Sequence, residues 1–221
     1  MKSILLRNAV RALGTAVLFI ALAPASSAQI KSQGPFCGKV YRSNPSNQGA
    51  LYWVNASGAR CDEDANRALT DPVASGQFTQ YLQISDFGFD IPVDAVIDGV
   101  EVVVIRRSDH AGSLSDRSVK LMRYNVAIGA NKASSETWDT EWTAAYYGDK
   151  QASWGTAWTA QELNRDDFGV VLDVGFAGDE GQPQVDEVLV TVYYSKRRVQ
   201  LMPGKSKFSS RFTCNRIGSL P

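Results

Sequence analysis

The sequence predicts an all-β fold, an antiparallel β-sandwich of jelly-roll type with one short helical turn. Two observations carry this: several short β-rich runs separated by Gly, Asp and Asn clusters, and the lack of a long amphipathic helix between them. Strands connected without crossover helices pair antiparallel, and two such sheets bury their apolar faces against each other.

The clearest strand is Ile97 to Arg106, where Val100, Val102 and Val104 fall on one face and Glu101, Val103 and Ile105 on the other. Apolar residues on both faces predict a strand covered on both sides over part of its length. Further β-rich runs are Gln77 to Ile84, Val119 to Ile128, Phe168 to Phe176 and Val188 to Tyr194, and Leu51 to Val54 is a shorter one. The helical turn falls at Thr159-Ala-Gln-Glu162, because a Thr hydroxyl and a Glu carboxylate three residues apart can each bond the other's backbone N–H. Leu163 is its expected buried contact, and Asn164 and Asp166 end it.

Around this body the chain divides into four parts. Lys2, Arg7 and Arg11, the apolar run Ala16 to Ala23 and the small residues up to Ala28 form a secretory signal over 1–28, too short in its apolar part to span a bilayer. This predicts a secreted, periplasmic or cell-surface protein of about 193 residues, the 221 of the chain less 28, with no transmembrane segment after cleavage. Residues 29–52, rich in Ser, Asn, Pro and Gly and carrying Cys37, read as loop. The sandwich occupies 53–194, and 195–221 form a basic tail.

An exported chain permits disulfides. Cys37 and Cys61 close a loop of about 25 residues at lower entropic cost than either closes with Cys214. That pair is therefore expected, with Cys214 left available.

The net charge of zero conceals an asymmetry. Lys196, Arg197, Arg198, Lys205, Lys207, Arg211 and Arg216 follow Ser195 with no acidic residue among them, while the body holds 13 basic residues against 23 acidic. The tail therefore suits self-association, an anionic surface, or a return onto the acidic body. Nothing in it specifies nucleic-acid recognition.

Catalytic signatures are absent. His110 is the single histidine, in a polar turn without a nucleophile elbow or a Cys partner. One His and three scattered Cys lack zinc spacing. Asp62-Glu63-Asp64 lacks the glycine and spacing of a calcium loop, so calcium is a minor expectation and no cofactor is assigned. Asp86, Asp90, Asp94, Asp98, Asp166, Asp167, Asp173 and Asp186 supply carboxylates for glycoside cleavage only if two face one cleft.

Aromatic residues are the better binding candidates. Trp138-Asp-Thr-Glu-Trp142-Thr-Ala is echoed by Trp154-Gly-Thr-Ala-Trp158-Thr-Ala, placing four of five tryptophans in one stretch. Trp154 and Trp158, beside the capped turn, read as core. Trp138 and Trp142, with Tyr146 and Tyr147, are candidate platforms for a sugar ring.

The motifs Phe87-Gly-Phe-Asp-Ile-Pro92, Ile97-Asp-Gly-Val-Glu-Val102, Asn131-Lys-Ala, Tyr147-Gly, Trp154-Gly-Thr-Ala-Trp158-Thr, Asn164, Phe168-Gly-Val and Val185 to Tyr194 occur in an order with a likeness elsewhere. Between about Trp53 and Tyr194 the chain resembles a widespread, functionally uncharacterised β-sandwich domain of phage virion proteins and bacterial secreted proteins. The resemblance implies a jelly-roll-like module for structure or attachment and carries no catalytic residues.

The function expected is therefore a non-catalytic extracellular module for surface attachment or matrix assembly, its partner a glycan, a cell-surface polymer or its own kind. A carbohydrate-binding module using the loop tryptophans is the alternative, and a polysaccharide-active enzyme the third possibility.

Overall fold

The structure is a computed structural model that describes residues 29–62 and 65–196. It is a two-sheet sandwich in which every named strand pair is antiparallel. One sheet runs β1 (Lys31–Cys37), β10 (Pro183–Lys196), β5 (Ala95–Ser108) and β8 (Thr143–Gly148), and the short β3 (Ala68–Leu69) also pairs with β10. The second sheet runs β2 (Val40–Asn44), β4 (Tyr81–Ser85), β9 (Gly169–Phe176), β6 (Leu114–Arg123) and β7 (Val126–Ile128).

The alternation read in the sequence sets the core. Val100, Val102 and Val104 of β5 and Val188, Val190 and Val192 of β10 are fully buried, and Leu82, Ile84, Val119, Leu121, Val170 and Leu172 face them from the second sheet. Burial of each such side chain contributes about 1.5–3 kcal/mol. The other face of β5 is half-covered at Glu101, Val103 and Ile105.

The capped turn forms as α1 (Ala160–Leu163). Thr159 Oγ1 accepts from the Glu162 N–H at 3.3 Å, the Glu162 carboxylate accepts from the Thr159 N–H at 2.9 Å, and Leu163 is buried.

Three expectations need correction. Residues 29–52 are not a loop segment, because they hold β1 and β2, which join opposite sheets. The run Val119 to Ile128 is not one strand but the end of β6, a two-residue turn at Tyr124-Asn125 with φ of 55° and 61°, and β7. Positive φ at both turn residues matches the twist of a tight hairpin. The tryptophan-rich stretch contains β8, an edge strand the sequence concealed. In addition β10 continues to Lys196, so the first two tail residues, Ser195 and Lys196, are strand residues. The signal, Glu63, Asp64 and the tail from Arg197 onward, with Lys205, Lys207, Arg211 and Cys214, lie outside the described residues.

Candidate functional site

Beneath β8 lies a buried polar cluster centred on Asp116 of β6. Its carboxylate accepts from Arg106 Nη1, from Trp138 Nε1 at 2.9 Å, from the Tyr147 hydroxyl at 2.8 Å and from the Ser134 N–H at 3.1 Å. The Arg106 guanidinium also stands 4.8 Å from the Trp138 ring centre and 5.8 Å from that of Tyr147. Burial, with the Asp116 charge beside it, pushes the Tyr147 hydroxyl above the usual phenol range, so it stays a donor. Trp138 and Tyr147 are 1% and 3% exposed, and their ring faces are not open to a ligand.

The four aromatic candidates are therefore not one surface. Tyr146, 68% exposed, stands on β8 at a groove of about 460 Å³ whose lining includes Glu136, Thr137, Asp139 and Thr143. Trp142 is half-buried, with the guanidiniums of Arg107 and Arg67 4.8 and 5.2 Å from its ring centre. Its π-surface already holds cations. Trp154 and Trp158 are core.

A second groove lies on the outer face of the second sheet. Gln83 of β4, Val171 of β9 and Met122 of β6 point away from the core yet are 2%, 1% and 0% exposed. Loops rise over this face from both sides, and three amides join across it. Asn44 donates to Gln83 Oε1 at 2.6 Å, and Gln83 donates to Asn125 Oδ1 at 3.2 Å. Asn125 sits in the β6–β7 turn, where its left-handed backbone is one Asn adopts readily. Gly169 of β9 clears space here, since a Cβ would strike the Ile84 carbonyl and Met122 Cε.

Over this ladder opens a groove of about 320 Å³ lined by Asn44, Ser46, Tyr81 and Asn125 with Met122, Val126, Ala127 and Val171. No lining side chain carries a charge. Sequence reasoning missed this surface because its polar members come from β2, β4 and a turn, and each alone is an ordinary Asn, Gln or Tyr.

At one end of the same face Asp173 is fully buried. It accepts from Asn47 Nδ2 at 2.6 Å and pairs with Arg117 at 2.7 Å, and burial still pushes its carboxyl above the ordinary range. Other carboxylates nominated from the sequence have separate partners: Asp86 pairs with Lys39, Asp98 accepts from Ser195 Oγ, and Asp167 pairs with Arg165. His110 is exposed beside Asp109. Among the described residues no group of three or more His, Cys, Asp or Glu is placed to hold a metal ion, and no helix is long and apolar enough to cross a membrane. Cys37 and Cys61 are joined by a disulfide, their Cα atoms 6.1 Å apart.

No protein-family model matches the chain, and no curated protein matches it. Two solved structures are similar. The CBM22-1 xylan-binding domain of Xyn10C from Paenibacillus barcinonensis shares 12% identity, with 79% of this chain and 99% of that one covered and a TM-score of 0.35. A structure described as "a putative sugar binding protein" from Bacteroides thetaiotaomicron VPI-5482 shares 12% identity over 71% of this chain and 86% of that one, with a TM-score of 0.34.

Proposed function

We propose that this domain is a non-catalytic module that works outside the cytoplasm and attaches to a glycan of neutral sugars through the groove over β4, β9 and β6. The observation that carries this is the groove's lining. In a chain where 21% of residues are charged, a groove with three amide or hydroxyl side chains, a tyrosine and an apolar floor suits an uncharged polyhydroxylated ligand. Ions and phosphates find no counter-charge there. Amides donate to and accept from sugar hydroxyls, and an aromatic ring stacks on the C–H face of a pyranose. The Cys37–Cys61 bond agrees with an oxidising compartment.

Affinity electrophoresis of residues 29–221 through glucan, mannan, xylan and anionic alginate tests this. Retardation is expected in at least one neutral gel and not in alginate. Tyr81→Ala and Asn125→Ala should each weaken it about tenfold or more, as for a lost stacking or hydrogen-bonding group worth about 1.4 kcal/mol. Passage through every neutral gel without delay, or unaltered binding by both variants, removes the proposal.

A second reading rests on Tyr146, whose open ring borders the β8 groove. If Tyr146→Ala alone abolishes retardation, the glycan lies on β8 instead.

A further inference from the structure

At the pole where β10 ends, a third groove of about 440 Å³ runs between the start of β5 and the segment leading into α1. We propose that residues 197–202 of the same chain, Arg-Arg-Val-Gln-Leu-Met, occupy this groove and fasten the basic tail to the acidic body.

Position comes first. The last two residues of β10, Ser195 and Lys196, pair with Val96 and Ala95, and both of those line the groove. Six residues beyond Lys196 span at most about 20 Å when extended, at about 3.3 Å each, which is ample to turn into a groove that begins at the strand's own partner. A segment tethered this closely meets the groove at an effective concentration on the order of millimolar, which favours its own chain over a neighbour's.

Charge is second. Asp98 Oδ1 accepts from Ser195 Oγ, whereas Asp98 Oδ2 is buried with no hydrogen-bond partner among the described residues. A buried carboxylate oxygen left unmatched is costly, and a guanidinium is the donor best shaped to satisfy it. Asp94 adds a second carboxylate to the lining, and Arg197 and Arg198 are the first two residues to arrive.

The third match is apolar. Val93 and Val96 are 70% and 44% exposed, and with Ile97 and Trp158 they give the groove an apolar wall. Val199, Leu201 and Met202, which follow the two arginines, are the apolar residues that would cover it. Lys205, Lys207, Arg211 and Arg216 lie beyond the seated segment.

The test uses residues 29–221 with Cys214→Ser, Val96→Cys and Leu201→Cys, oxidised mildly and mapped by mass spectrometry of proteolytic peptides. A 96–201 disulfide within one chain is expected, and adding Arg197→Glu and Arg198→Glu should cut its yield about fivefold or more. Tyr124→Cys in place of Val96→Cys, on the β6–β7 turn, should give little. Hydrogen exchange on the otherwise unaltered chain provides an independent measure: amides of residues 93–98 should exchange faster once the two arginines are reversed. Cross-links that join two chains would show the groove to hold a neighbour's tail and overturn the proposal. A yield no greater than that of the Tyr124→Cys control, or exchange that charge reversal leaves unchanged, would overturn it as well.

Discussion

Asp116 concentrates more of the fold's polar chemistry than any other described side chain, because one carboxylate holds a cation, an indole, a phenol and a backbone N–H. Asp116→Ala strands the buried Arg106 charge, and breaking such a pair costs about 3–5 kcal/mol, which urea unfolding should register as a large fall in midpoint. Tyr146→Ala, at an open site, should shift stability by no more than about 0.5 kcal/mol, so the same measurement separates scaffold from surface. Asp173 is buried too. Its burial outweighs the pull of Asn47 and Arg117 and raises its carboxyl above the ordinary 3.8. The folded state therefore holds the proton more tightly than the unfolded one, and stability falls as pH rises through the window above 3.8. Asp173→Asn keeps an acceptor for both neighbours without the charge. It should unfold at higher urea than the parent at pH 7, an advantage that fades as the pH is lowered to about 3.5, where the unfolded carboxyl is protonated too.

Among the elements, β1 depends most on covalent support. It is an edge strand that pairs only with β10, its register shifts between Gln33 and Phe36, and its last residue is bonded to Cys61. Replacing Cys37 and Cys61 together by Ser frees a loop of 24 residues and should cost about 3 kcal/mol, measured by thermal or urea unfolding. The same edge position explains why β1 was illegible in the sequence. A strand paired on one side tolerates Gly34-Pro35 at its irregularity and needs no apolar alternation. β2 and β8 are edges as well, and their Ser, Asn, Ala and Thr residues resembled loop for the same reason. The central strands β5 and β10, apolar wherever they face the core, were plain, and so was α1, whose capping box is wholly local. Trp138 was hard to place because its indole partner, Asp116, lies 22 residues away. The amide ladder was illegible for the same reason, since Asn44 and Gln83 are 39 residues apart and Gln83 and Asn125 are 42 apart.

At the scale of the molecule, the grooves differ in charge and should therefore differ in their response to salt. The amide-lined groove carries no charge, so neutral-glycan affinity should stay within about twofold between 0.05 and 1 M NaCl. The contacts proposed for Arg197 and Arg198 with the exposed Asp94 should instead weaken over the same range, as the screening length falls to about 3 Å. Titrating binding and the 96–201 cross-link side by side checks both expectations. The pairing of Lys31 with Tyr194 brings together the two places where the described sandwich meets the rest of the chain. Tension applied through both would load the β1–β10 ladder at one end and peel it a pair at a time, which takes far less force than sliding the whole ladder at once. Peeling runs only as far as Cys37, where the covalent bond to Cys61 diverts the load away from Leu189 and the rest of β10. A module held to a surface under flow would thus yield first over one short strand, before the load reaches Cys61.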